Sequence, residues 1–217
     1  AELTFALILA CARDLLNQNA ALRGGQWQRA PGQSLRGRQL GLYGYGRIAR
    51  QVATYARAFG LRVVWWGSDQ GRARAAAAGE TLAASRAAFF ADSDFVSLHV
   101  RLTPATRGLI TAADLAAMKP SASFINTSRA GLVEPGALLA ALNTGRPGRF
   151  GLDVFDTEPL TDAADPLVNH PSVIATPHIG FVTEDELDQQ FSDIYDQINA
   201  YSAGSPLHII NPEAQVR

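Results

Sequence analysis

Short apolar runs recur along this chain, separated by polar, glycine-rich turns and by segments with apolar residues at helical spacing. Leu3–Leu22 reads as one helix whose first half is heavily buried, because Leu3–Ala12 is nearly all apolar. A polar loop runs on to Arg38, with Arg23-Gly24-Gly25 at its start and Pro31-Gly32 blocking regular structure. Gln39–Tyr43 reads as a strand. Arg47–Phe59 reads as a helix with Ile48, Val52, Tyr55, Ala56 and Phe59 near one face and Gly60 as its stop. Leu61–Trp66 is a second strand, and the alanine-rich Arg72–Ala78 a helix ending at Gly79. Ser85 caps a helix through Phe90, and Asp94–His99 is a third strand. Thr111 caps a helix that Pro120 ends, Ser123–Asn126 is a fourth strand, and Pro135–Leu142 is a helix closed by Gly145. Phe150–Val154 and Ser172–Thr176 complete the strands. Thr183 and Glu186 form a capping-box pattern that opens a long helix to about Ala203.

Strands alternating with helices predict an α/β fold, a Rossmann-type doubly wound parallel sheet of six or more strands with helices on both faces. The short strands lack strict alternation, which suits a sheet buried on both sides. Three segments follow: 1–38, an N-terminal helix and connecting loop; 39–204, a dinucleotide-binding domain; and 205–217, a tail.

Composition narrows the function classes. The chain has 217 residues, and its 19 basic and 20 acidic side chains give a net charge of −1, so no nucleic-acid partner is expected. The single cysteine, Cys11, excludes an internal disulfide and any multi-cysteine metal site, and fits a reducing cytoplasm. No metal is expected, because no histidine has metal-ligand spacing. The apolar run at the N-terminus falls short of the roughly 20 residues that span a bilayer.

Gly44-Tyr45-Gly46-Arg47-Ile48-Ala49 lies between the first strand and the next helix. Gly44 permits a tight turn, Gly46 lets backbone approach a pyrophosphate, and Ala49 lets helix pack on strand. The helix N-terminus offers unpaired amides to the phosphates, and Arg47 adds a charge. An acid that binds the adenosine ribose is expected after the second strand, but Gly67 stands there. Asp69 could reach in from two positions later, or Ser68, Arg72 and Arg74 could face a 2′-phosphate. The cofactor is NAD or NADP.

Arg129, Glu158 and His178 lie just past the fourth, fifth and sixth strands, where an open α/β sheet gathers its ligand contacts. An arginine grips a carboxylate through two parallel hydrogen bonds. A histidine exchanges a proton with an oxygen, and a carboxylate orients the imidazole. The set suits reduction of a 2-keto acid. His99, His170 and His208 read as locally packed or solvated, and Asp156, Asp162 and Asp165 as a solvated loop.

The glycine loop, Ser97–Val100 with Thr103-Pro104 and Thr106–Gly108, Asn126–Arg129, Asp153–Pro159 and Thr176–Gly180 run in order through most of the chain. In these motifs the sequence resembles the D-isomer-specific 2-hydroxyacid dehydrogenases. The resemblance implies an oxidoreductase acting between a nicotinamide dinucleotide and a small D-2-hydroxy or 2-keto acid. It implies that Arg129 holds the substrate carboxylate, His178 carries the proton and Glu158 pairs with it. Asp153 would hold the nicotinamide carboxamide and Thr127 and Ser128 line its pocket. Val100 and Thr106 would border the cofactor, and the same motifs add His99 and Gly180 to its contacts. Of the two cofactors the resemblance favours NAD, although Gly67 stands where the family has its ribose-binding acid; Arg101 and Ala130 also depart from the family pattern.

The family carries a further, mostly N-terminal substrate domain, so the expectation is a cofactor domain of a longer enzyme, whose activity without that domain is an open question. The alternative is a non-catalytic dinucleotide-binding or association module. A homodimer is expected through the N-terminal helix, because Leu3, Phe5, Leu7, Ile8, Leu9, Leu15 and Leu16 offer more apolar surface than one helix stripe needs.

Overall fold

The computed structural model describes residues 1–215. The chain divides into two compact units, Ala1–Gly180 and the segment from Phe181 onward. This division differs from the expected boundaries after residues 38 and 204.

In the first unit six strands form one sheet in the order β2-β1-β3-β4-β5-β6, all parallel. They are β1 (Gln39–Tyr43), β2 (Arg62–Trp66), β3 (Phe95–Leu98), β4 (Ser123–Asn126), β5 (Arg149–Leu152) and β6 (Val173–Ala175). Leu82 makes a parallel bridge to Trp65 beyond β2, a stub of the outermost strand of a doubly wound sheet. The chain order reverses between β1 and β3, which opens a crevice at the carboxyl ends of those strands.

Each face of the sheet buries its own layer. On one, α1 (Glu2–Arg13) and α3 (Arg47–Ala58) cover Leu40, Leu42, Trp65, Phe95 and Ile125. On the other, α5 (Arg86–Asp92), α6 (Ala112–Ala117) and α7 (Ala137–Thr144) bring Phe89, Phe90, Leu115 and Ala141 against Val96, Leu98, Phe124 and Phe150. Ser85 caps α5 by accepting the Ala88 N–H, and Thr111 with Asp114 forms a capping box on α6.

Three expectations are corrected. The N-terminal helix is not continuous: Asp14 takes a left-handed conformation (φ 52°) between α1 and α2 (Leu15–Arg23). Asp14 is buried, and its Oδ1 accepts from Arg149 Nη1 at 2.5 Å, so the break is held by a partner at the start of β5. Phe5, Leu7 and Ile8 are covered by their own sheet, while Leu15 and Leu16 are exposed. In α3 the buried face is Ala49, Val52, Ala53 and Ala56, and Ile48 and Phe59 are exposed. The helix expected from Arg72 is α4 (Asp69–Ala77), which starts earlier because Ser68 Oγ accepts the Gly71 N–H.

The second unit carries α8 (Glu184–Ser202), capped by Thr183, whose hydroxyl accepts the Glu186 N–H. Leu187, Phe191, Ile194 and Ile198 form an exposed apolar stripe along it. Among the described residues no helix is long and apolar enough to cross a membrane.

Candidate active site

The loop after β1 is shaped for close approach. Gly44 has φ +105°, and a Cβ there would lie 2.4 Å from the His99 carbonyl oxygen, so a side chain is excluded. Its N–H donates to Trp66 O at 2.8 Å, tying the loop to the end of β2. Val100 borders the same turn. Gly46 is the N-cap of α3, no side chain caps the helix, and nothing lies within 4 Å of where its Cβ would be. Uncapped amides beside open space fit a pyrophosphate. Tyr45 is held edge-on to Trp65 with ring centroids 4.8 Å apart. Ala49, fully buried, lets α3 lie close on the sheet. Arg47 and Ile48 open the helix at the surface.

At the end of β2, Gly67 has φ +153° and an added Cβ would face Gly44 N at 3.4 Å. The Asp69 side chain is 95% exposed and ion-paired with Arg72. His99 directly follows β3, and its Nε2 lies 3.0 Å from Ser97 Oγ. Burial pushes its pKa down to about 3, which keeps it neutral. Thr106 serves its own turn, accepting the Thr103 N–H at 2.8 Å and donating to Arg101 O at 2.7 Å.

The loop after β4 is fastened by Asn126, a buried residue that composition alone does not single out. Its Nδ2 donates to Arg129 O at 2.9 Å and its Oδ1 accepts the Ser128 N–H at 3.0 Å. Ser128 Oγ donates to Leu98 O at 2.7 Å, and Thr127 Oγ1 lies 2.8 Å from Thr4 Oγ1 in α1. Arg129 emerges exposed from this fastened turn.

Asp153, 1% exposed at the end of β5, organises the loop after β6. Its Oδ1 accepts from Thr176 Oγ1 at 2.6 Å and from Ile179 N at 2.9 Å, and its Oδ2 accepts from Gly180 N at 3.0 Å. These bonds bracket His178, which has φ 55°. A non-glycine residue in that region costs about 1 kcal/mol or more and persists only where its surroundings over-determine it.

His178 Nδ1 lies 2.6 Å from Glu158 Oε2, and Glu158 Oε1 accepts the Phe155 N–H at 2.9 Å. Partial burial raises the Glu158 carboxyl. The hydrogen bonds from His178 and Phe155, with the charges of His178 and Arg129, more than offset it and hold it below the usual range. Arg129, Glu158 and His178 thus form one electrostatic group, on loops following three adjacent strands. A polar cleft lined by Gln39, Arg57, Arg62 and Glu80 opens at the amino ends of β1 and β2, away from this group. Among the described residues no group of three His, Cys, Asp or Glu could hold a metal ion.

A glycine loop at the switch point, with an imidazole–carboxylate pair and an arginine on the same sheet edge, defines a doubly wound dinucleotide-binding domain. Residues 5–180 match the family described as D-isomer specific 2-hydroxyacid dehydrogenase, NAD binding domain, and the chain belongs to that family. It is 34% identical to a glyoxylate reductase of Thermococcus litoralis over 98% of this chain and 66% of that protein. It is 38% identical to a D-3-phosphoglycerate dehydrogenase of Mycobacterium leprae over 94% of this chain and 38% of that one. The crystal structure of a D-3-phosphoglycerate dehydrogenase homologue from Ralstonia solanacearum superposes with a TM-score of 0.93 at 40% identity, covering 100% of this chain and 66% of that one. The chain therefore spans less than two thirds of the length of each of these three relatives.

Proposed function

We propose that the protein is an oxidoreductase acting between a nicotinamide dinucleotide, NAD or NADP, and a small D-2-hydroxy acid or 2-keto acid. The observation that carries this reading is the Glu158–His178 pair, 2.6 Å apart, with Arg129 beside it on the edge that also bears the glycine loop. A bound nicotinamide dinucleotide supplies the hydride chemistry. The loop Gly44–Ile48 holds its pyrophosphate, Gly67 and Ser68 flank the adenosine ribose, and His99, Val100 and Thr106 border it. Thr127, Ser128, Asp153 and Gly180 line the nicotinamide side.

The chain's own residues handle the acid. Arg129 fixes the carboxylate through its planar fork. His178, held at Nδ1 by Glu158, exchanges a proton with the C2 oxygen through Nε2, and the carboxylate stabilises the imidazolium. A pure association module has no need of this acid–base pair. The names of the relatives point to substrates of the glyoxylate or 3-phosphoglycerate kind.

We also place the enzyme in the cytoplasm as a homodimer without nucleic-acid or membrane partners. Since α1 is covered by its own sheet, the dimer surface is drawn from exposed Leu15, Leu16, Leu22 and Trp27. Sedimentation should report twice the chain mass, and a monomer would remove this part.

The test of the activity is His178→Gln. It should lower kcat for 2-keto acid reduction by about 10²–10⁴-fold while dinucleotide affinity holds. Near-normal turnover would exclude His178 from the chemistry.

A further inference from the structure

The ribose end of the cleft has the wrong charge for a bare diol. A diol is usually recognised by a carboxylate at the end of the second strand. Here that position is Gly67, whose φ of +153° would strain any side chain placed there. The one carboxylate in the segment from Gly67 to Arg74, Asp69, has a side chain 95% exposed to solvent. The Ser68 hydroxyl accepts the Gly71 N–H at 3.2 Å as the cap of α4 and carries no negative charge to mark a diol.

Two guanidinium groups border the same place. Arg74 Nη2 lies 3.5 Å from Tyr45 O, so its side chain reaches from α4 onto the glycine loop. The Arg72 guanidinium carbon is 4.3 Å from the ring centre of Trp66, the last residue of β2. Arg50 is 5.9 Å from the ring centre of Tyr45, adding positive charge along the loop. The Arg72–Asp69 pair is too exposed to hold Arg72 firmly, since such pairs contribute little in water.

We propose that this chain selects NADP(H) over NAD(H), with Arg74 and Arg72 holding the 2′-phosphate of the adenosine ribose. The proposal rests on the reading above that the glycine loop binds a nicotinamide dinucleotide. A phosphate dianion gives both guanidinium groups charge-assisted bonds, whereas a 2′-hydroxyl gives them a neutral partner.

The experiment is a titration of the purified chain with NADPH and with NADH, followed by tryptophan fluorescence and calorimetry. Competition by 2′,5′-ADP and 5′-AMP runs alongside. NADPH should bind about tenfold more tightly or better, and the advantage should shrink with added salt. Arg74→Ala and Arg72→Ala should each weaken NADPH binding and leave NADH binding unchanged. Equal or tighter binding of NADH overturns the proposal while leaving the dinucleotide reading intact. An equal loss for both cofactors in Arg74→Ala also overturns it, because the arginine would then act only through the loop. Failure of both cofactors to bind removes the dinucleotide reading and the proposal with it.

Discussion

Thr4 Oγ1 in the first turn of α1 lies 2.8 Å from Thr127 Oγ1 in the loop after β4, joining residues 123 positions apart at the base of the candidate site. Thr4 is buried, so its hydroxyl has little access to water as a substitute partner. Thr4→Val keeps the shape and removes the bond. The expected loss is about 1 kcal/mol, a fall of roughly 2–4 °C in Tm for a domain of this size. Unchanged melting would show that the contact contributes nothing.

Asp153→Asn should cost more. The amide nitrogen would face either the Gly180 N–H or the donors now held by Oδ1, and a buried donor would be left without a partner. A loss of about 1–3 kcal/mol is expected, with a fall in kcat because the loop presenting His178 loosens. A variant that melts and turns over like the parent would deny Asp153 its bracing role.

Glu158 titrates below the ordinary carboxylate range, so the sign of its effect is set. Its charge, and the pairing it supports, persist above the usual pKa of about 4.3 and are lost only as pH falls through a lower value. Glu158→Gln removes the negative partner of the imidazolium. The alkaline limb of the reduction profile should then move to lower pH. Superimposed profiles of parent and variant would argue against the pairing.

Arg129→Lys keeps the charge and loses the fork. A drop in kcat/KM of about tenfold or more is expected for 2-keto acids. Equal kcat/KM would mean that the carboxylate is anchored elsewhere.

Away from the site, Arg86 ties α5 to α6 through Asp114, with bonds of 2.9 and 2.6 Å. Burial raises the Asp114 carboxyl, but Arg86 and Thr111 outweigh it and hold it low. The stabilisation is therefore present above pH ~4 and lost as pH falls through the depressed value. Asp114→Asn should cost about 1–2 kcal/mol at neutral pH, after allowing for the half-exposed arginine. The gap from the parent should narrow as the pH is taken down through that depressed value, as denaturant melts over a series of acid pH values would reveal.

Much of this was legible in the chain. β1 and β4 fall on the residues read from the sequence, because each is a short apolar run that must be buried on both faces. The glycine turn between β1 and α3 and the places of Arg129, Glu158 and His178 after β4, β5 and β6 are likewise readable, because the order of strands and turns marks them. What escaped depends on distant partners. The break at Asp14 is held by Arg149, 135 positions away, and local periodicity carries no trace of it. The exposure of Ile48 follows from its place at the mouth of the loop rather than from its hydrophobicity. The bracing of His178 by Asp153 needs β5 and β6 to be neighbours, which only the sheet order reveals.

That sheet order also acts as a ruler. β4, β5 and β6 pair consecutively, and neighbouring strands lie about 4.8 Å apart. The strands that lead to the arginine and the histidine are thus only about 10 Å apart, with the carboxylate's strand between them. The loops that carry the two residues leave the same end of the sheet, so the spacing of their anchorages is fixed by the strand ladder rather than by the side chains. Substituting side chains in those loops would change what they present while leaving that spacing, set by backbone hydrogen bonds, as it is.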